Sequence, residues 1–340
     1  VPIVLGALVA VFAFTRFGGG TSHDLFTPLL GLVLTWGGSS AQRALTEGRR
    51  NRWLEGTFGR YMAPSVIQAL KDDPTLLELG GRDRHVTVLF SDIAGFTSLS
   101  EHLEPAQVVA LLNRYLTSHC AAVLDDGGVV DKFLGDGVMA FFGDPVPQPD
   151  HPLRACRSAL RVQQELPRLA PTLKALGLEK LTVRIGIHTG RAVVGNIGSE
   201  QRFDYTCMGD TANLASRLEG ASKVFGIEIL IGPETAQAVK DDMLLKPLGG
   251  IVVVGREDPV AVYELVGARQ GASEESRAHV EAFERAVEAA RRGARSEAEQ
   301  ALAEADRLAP GDGPVAWFQD VLAGLAPNQT WDGVTTLESK

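Results

Sequence analysis

Apolar and polar positions divide the chain into four stretches of different character. Residues 1–14 are apolar throughout and 25–36 nearly so, with the glycine turn Thr15-Arg16-Phe17-Gly18-Gly19-Gly20 between them. A membrane helix needs about 20 apolar residues. The second run can be stretched to Ala41 by counting Gly37, Gly38, Ser39 and Ser40. The first is shorter, but the chain starts at Val1 rather than Met, as a fragment of a longer protein would. Two transmembrane helices over 1–41 are expected, against a buried helical hairpin or a signal-peptide core. Arg43, Arg49, Arg50 and Arg52 follow the second run with Glu47 the only acid among them, which puts everything after Ala41 on the cytoplasmic side.

Residues 42–81 read as a helical connector. Pro64 sits like the first residue of a short helix, Asp72-Asp73-Pro74 stops it, and Gly80-Gly81 closes the segment. Residues 82–268 carry the folded centre. The valine-rich run 86–90 predicts a buried strand, and Val108, Val109, Leu112, Tyr115, Leu116 and Val123 give 105–124 a helical spacing. The runs 128–133 and 138–142 flank Gly135-Asp136-Gly137, a hairpin signal. Further helices are predicted over 153–169 and 211–221. Strands are predicted over 182–187 and 192–197, broken at Thr189-Gly190, and over 227–231, 248–254 and 261–265. The order strand–helix–hairpin–helix–strand predicts an α+β, ferredoxin-like sheet with its helices on one face. In the C-terminal segment 269–340, alanine, glutamate and arginine dominate residues 275–326, and breaks at Gly293 and Pro310-Gly311-Asp312-Gly313 predict two helices and a third over 314–325. This pattern is like one degenerate tetratricopeptide repeat, which must lean on the core or a partner to bury its face.

Composition excludes more than it selects. Apolar residues at 45% and charged residues at 22% rule out a disordered chain. The formal net charge of −9 opposes a nucleic-acid binder working through a basic face. Three cysteines, Cys120, Cys156 and Cys207, lack the spacing of a disulfide framework or a zinc site.

The candidate chemistry starts with two aspartates. Asp92 ends the first strand, in Phe90-Ser91-Asp92-Ile93-Ala94-Gly95-Phe96-Thr97, and Asp136 sits in the hairpin. Packed beside each other, two hard oxygen ligands suit one or two Mg²⁺ ions, the arrangement of metal-assisted displacement at phosphorus. Either aspartate alone reads better as a turn cap. Gly95, Phe96 and Thr97, ahead of a helical stretch, offer backbone N–H groups to a phosphate. Asn213 and Arg217, four apart on a helix, share a face and suit a ribose oxygen and a charged phosphorane, though alone they read better as a solvated polar face.

Together these blocks resemble class III nucleotidyl cyclases over about residues 84–267. The Phe-Ser-Asp-Ile-x-Gly-Phe-Thr block, the Lys-Phe-Leu-Gly-Asp-Gly block, Gly186-Ile187-His188-Thr189-Gly190 and the Asn213/Arg217 helix match jointly. The resemblance implies attack of a ribose 3′-oxygen on the α-phosphorus of a nucleoside triphosphate. It implies Asp92 and Asp136, with the Ile93 carbonyl, as ligands of two Mg²⁺ or Mn²⁺ ions per site. Asn213 would orient the ribose and Arg217 would stabilise the transition state. Lys132 and Thr206 match the pair by which bacterial-type adenylate cyclases read adenine, where guanylate cyclases carry glutamate and cysteine. His188 reads as a packed strand residue. Val254 falls where the family has a triphosphate-binding lysine, and Arg256 would substitute from two residues on.

The flanks, including Trp331-Asp332-Gly333 and Ser339-Lys340, look like bacterial cyclases with an extracytoplasmic CHASE-type sensor upstream. The expectation is therefore an ATP-using homodimer at the bacterial inner membrane, its catalytic domain cytoplasmic. The rivals are a nucleotide-binding regulatory module with little turnover and a guanylate cyclase.

Overall fold

A computed structural model describes residues 36–37, 67–68, 71–73, 79–199, 201, 203–252, 258–326 and 329–336. The two apolar runs, save Trp36 and Gly37, and most of the connector lie outside them. Among the described residues no helix is long and apolar enough to cross a membrane. The chain divides into two units, Val1–Arg60 and Tyr61–Lys340, and the sheet and its helices belong to the second.

That unit is built on one mixed sheet. Strands β1 (Gly80–Ile93), β2 (Val129–Leu134), β3 (Gly137–Phe142), β4 (Val183–Gly198), β6 (Ile229–Ile231), β7 (Met243–Val252), β8 (Val260–Ala268) and β9 (Val334–Thr336) run in the order β2-β3-β1-β4-β6-β8-β7-β9. β5 (Phe203–Met208) pairs with the second half of β4. Helices α1 (Phe96–Glu101), α2 (Pro105–Asp125), α3 (His151–Glu165), α4 (Ala170–Ala175), α5 (Asp210–Phe225) and α6 (Pro233–Val239) connect the strands, and α7 (Glu274–Arg291), α8 (Arg295–Leu308) and α9 (Gly313–Gly324) follow β8.

Two expectations are corrected. The helices cover both faces of the sheet, not one. Leu111 and Tyr115 of α2, Ala155 and Cys156 of α3 and Ala236 of α6 pack against Ile185, Ile229 and Ile231. Leu214 and Leu218 of α5, Phe283 of α7 and Phe318 of α9 pack with Leu230 and Val262. Successive strand side chains point to opposite faces, so the unbroken run Ile229-Leu230-Ile231 demands cover on both. The second correction is at Thr189-Gly190, which does not break the strand. β4 runs antiparallel to β1 without interruption from Val183↔Ile93 to Asn196↔Gly80. Gly190 serves a close approach instead, since a Cβ there would lie 2.8 Å from Thr211 Oγ1.

The three C-terminal helices found at the expected place are not free-standing. Their apolar faces join Leu248 and Ile251 of β7 and Phe225 of α5 in one core, closed by Trp331 at 5% exposure. That core is lined by the sheet itself, and among the described residues no repeat stacks on a repeat within it.

Candidate active site

Strand pairing brings the two aspartates together. β1 and β3 run antiparallel with Ser91 opposite Val138, so Asp92 at the end of β1 lies beside the β2–β3 turn that carries Asp136. The turn approaches closely because Gly137 has no side chain; a Cβ there would sit 2.7 Å from the Ser91 carbonyl oxygen and 3.6 Å from Asp92 Oδ1. The Ile93 N–H donates to Asp136 Oδ2 at 3.1 Å. Burial, and then the neighbouring Asp92 charge, push the Asp136 carboxyl up. Two carboxylates that repel each other at a strand end are a fit for divalent cations, whose charge relieves the repulsion. Among the described residues no third His, Cys, Asp or Glu joins them as a metal-holding cluster. The remaining ligands of a hard cation would thus be carbonyl, water and phosphate oxygens.

Sequence reasoning missed two neighbours. Arg184 on β4 stands opposite Asp92 across the β1–β4 ladder, and its guanidinium donates to Asp92 Oδ2 at 3.3 Å. Its Nε lies 3.1 Å from Glu219 Oε1 on α5. Burial raises the Glu219 carboxyl to about 7 despite Arg184, and the Asp92 and Asp136 charges add to the rise. A charged residue between the buried Val183 and Ile185 was the available signal, since a charge inside an apolar strand is rarely idle.

α5 lies against β4 where Gly186 leaves no side chain in the way; a Cβ would come within 2.2 Å of the Glu219 amide nitrogen. Glu219 therefore faces the chain's own aspartates. Asn213 and Arg217 point away from that side of the same helix, since at 100° per residue they are about 120° and 160° away from Glu219. Asn213 is exposed and Arg217 half-buried, and neither side chain has a hydrogen-bond or ion-pair partner among the described residues.

Lys132 and Thr206 come together through Asp131, which sequence reasoning also passed over. The Thr206 hydroxyl donates to Asp131 Oδ2, and Lys132 Nζ lies 3.4 Å from Asp131 Oδ1 and 3.9 Å from Asp204 of β5. Gly95, at φ 69°, caps α1, with Gly95 and Thr97 exposed and Phe96 half-buried. Ala94 N–H donates to the Thr182 carbonyl at 2.9 Å, which ties this loop to the strand of Arg184. His188 is 5% exposed, packed so closely on Gly232 that a Cβ there would lie 2.3 Å from its Nδ1. Cys156 and Cys207 are buried and Cys120 partly so, and burial pushes the Cys156 thiol up to about 12. Val254 and Arg256 lie outside the described residues.

The model of the adenylate and guanylate cyclase catalytic domain matches residues 81–267. Adenylate cyclase 1 of Rhizobium meliloti is 40% identical over 232 residues, 67% of this chain and 34% of that protein. The adenylate cyclase of Anabaena cylindrica is 33% identical over 222 residues, 63% of this chain and 42% of its own. The chain thus spans well under half the length of these curated relatives. Among solved structures, the adenylyl cyclase CyaB from P. aeruginosa superposes with TM-score 0.54 and 40% identity over 57% of this chain and 100% of that one. The guanylyl cyclase Cya2 gives 0.52 and 36%, covering 57% and 97%. One of these structures bears an adenylyl name and the other a guanylyl name, so the structural likeness by itself leaves the base open. With the paired aspartates, the outward Asn213 and Arg217 and the match over 81–267, the chain belongs to the class III adenylate and guanylate cyclase catalytic domain family.

Proposed function

We propose that this chain is an adenylate cyclase, converting ATP to 3′,5′-cyclic AMP and pyrophosphate in sites shared between two copies. The observation that carries the reading is the division of α5. Glu219 turns toward the chain's own Asp92 and Asp136, while Asn213 and Arg217 turn away without a partner among the described residues. In a two-fold homodimer each chain would lend its aspartates to one site and its Asn213 and Arg217 to the other.

In such a site Asp92 and Asp136, with the Ile93 carbonyl, would hold two Mg²⁺ or Mn²⁺ ions. Bound there, the ions supply charge that acidifies the ribose 3′-hydroxyl and neutralises the phosphates. Asn213 holds the ribose so that its 3′-oxygen faces the α-phosphorus. The new 3′-O–P bond forms as the bond to the bridging oxygen of pyrophosphate breaks, and the hydroxyl proton leaves to water. Arg217 meets the charge that develops on the phosphorane. Arg184 and the N–H groups around Gly95, Phe96 and Thr97 would meet the pyrophosphate that leaves, and Arg256 would add a further cation. Lys132 donates to adenine N1 and Thr206 accepts from the 6-amino group, so a base of opposite sense leaves polar groups unpaired. The apolar runs of 1–41 would hold the chain at the bacterial inner membrane. A sensor upstream of them would act through the 42–81 connector.

The test mixes two silent variants. Asp92→Ala chains and Arg217→Ala chains, each inactive alone, should form heterodimers with one intact site. Random exchange should then give about a quarter of wild-type cyclic AMP output, from half the dimers with one good site of two. A mixture as silent as its parents, with exchange confirmed by crosslinking of differently tagged chains, would refute the shared site.

A further inference from the structure

Asp131 is buried where a charge is expensive. Its side chain is 0% exposed, and it sits at a break in the strand pairing: Val130 pairs with Ala140 but Lys132 with Met139, so Asp131 is the extra residue of a β-bulge. A bulge re-aims side chains that would otherwise alternate between faces. Here it brings the side chains of consecutive residues, Asp131 and Lys132, to one spot beside β5. Three donors converge on the carboxylate: the Thr206 hydroxyl, the Lys132 ammonium at 3.4 Å and the Cys207 N–H. Burial pushes this carboxyl up, and the three donors pull it back.

A threonine hydroxyl has one proton and two acceptor lone pairs, and it rotates to suit its neighbours. By itself it reads a 6-amino group and a 6-oxo group equally well. A carboxylate only accepts. With its single proton committed to Asp131, Thr206 has nothing but lone pairs left for a base. We infer that Asp131 is a specificity-determining positioning residue: it fixes Thr206 as an acceptor and steadies the Lys132 ammonium, so that the pair takes a 6-aminopurine and rejects a 6-oxopurine. The inference rests on Lys132 and Thr206 being the base readers, and goes beyond it by locating the origin of their polarity one residue away.

Asparagine at this position has nearly the same shape but can donate from its amide. In Asp131→Asn the Thr206 hydroxyl can accept from the new amide and turn its proton toward a 6-oxo group. In the full chain with Mn²⁺, the ratio of kcat/KM for ATP to that for GTP should fall by about tenfold or more in Asp131→Asn, mostly through opposite changes in the two KM values. Thr206→Val removes the hydroxyl and should also lower the ratio. Adding Asp131→Asn to Thr206→Val should lower it by much less than Asp131→Asn lowers it in the wild type, because most of the effect runs through that hydroxyl and only the part through Lys132 remains. If Thr206→Val lowers the ratio but Asp131→Asn scales both substrates equally, Asp131 is only structural and the inference is overturned while the base reading stands. If Thr206→Val leaves the ratio unchanged, the base reading itself falls and takes the inference with it. Should Asp131→Asn fail to fold, Asp131→Ser, whose hydroxyl both donates and accepts, reads the same ratio; a ratio held at the wild-type value there overturns the inference.

Discussion

The sheet carries a charged cluster at each end, and the two are built in opposite ways. Beyond β6, Lys246 of β7 is 1% exposed and bonds Glu264 of β8 at 2.8 Å and both oxygens of Asp312 at 2.8 and 2.9 Å. Its ammonium also lies 5.6 Å from the Phe283 ring centre. Burial alone would raise the Asp312 carboxyl, but His279 and Lys246 hold it below the usual range. Asp312 in turn caps α9, accepting from the Val315 N–H at 3.2 Å. Burial pushes the Glu264 carboxyl up, but both carboxylates touch Lys246, and the cluster fastens the C-terminal helices to the sheet. At the β1–β3 end, Asp92, Asp136 and Glu219 share one nearby cation among the described residues, Arg184, and the Asp136 and Glu219 carboxyls are pushed up. A cluster with excess negative charge at the mouth of a site costs stability in the empty protein. It is tolerable where cations arrive with a substrate.

The difference can be broken first at the open end. Asp136→Asn keeps the shape of the side chain, and its amide oxygen can still accept from the Ile93 N–H. Cyclic AMP formation at saturating Mn²⁺ should drop by about 100-fold or more, as for removal of other groups that meet developing charge. The melting temperature of the metal-free chain should hold or rise, because a repulsion has gone. Asp92→Ala should be equally inactive. More than about a tenth of wild-type turnover in either variant would contradict the assignment.

At the closed end the same logic predicts the reverse. Lys246→Ala leaves Glu264 and Asp312 buried without their cation, and losing one partner of a buried pair costs about 3–5 kcal/mol. Chemical denaturation should show that loss. Whatever protein remains folded should keep its preference for ATP, because Lys246 lies outside the catalytic constellation.

How much of this was legible in the sequence depends on the range of each signal. The placement of Asp92 and Asp136 was readable because the glycine turn announces a hairpin and Asp92 ends an apolar run, both local patterns, while their reading as a pair came from the family resemblance. That Asn213 and Arg217 share a helix face was readable from their spacing, but a role for them came only from the family resemblance. The partnership of Arg184 with Asp92 depends on a ladder register between residues 92 apart in sequence, which no local pattern carries. Asp131 depends on a bulge, a one-residue slip invisible in the order of valines. The two-sided burial was there to be read in Ile229-Leu230-Ile231, but a three-residue strand is too short to weigh against a familiar topology. The tail was read only as a likeness, yet Trp331 packs on Phe318 with ring centres 4.9 Å apart and β9 adds to the edge of β7.

Glu219 gives the smallest effect and the finest test of the comparison. Its carboxyl stands near 7 in the folded chain against an ordinary value of 4.5. A group whose folded pKa is raised holds more protons folded than unfolded between those two values, so stability falls as pH rises from about 4.5 to 7 and levels off above. The metal-free chain should therefore lose stability across that window, where a cluster like that of Lys246, with Asp312 lowered, pulls the opposite way at lower pH. Glu219→Gln cannot ionise and still reaches Arg184 through its amide oxygen. It should flatten the fall between about pH 5 and 7.5 in thermal melts of the metal-free chain, while leaving the acid side of the curve as it was. Saturating Mn²⁺ with a non-reactive ATP analogue should shrink the difference between wild type and Glu219→Gln, since added cations favour the ionised carboxylate and lower its pKa. An unchanged slope in Glu219→Gln would mean that the excess negative charge at the open end is not what sets its pH response, and the contrast between the two clusters would lose its energetic basis.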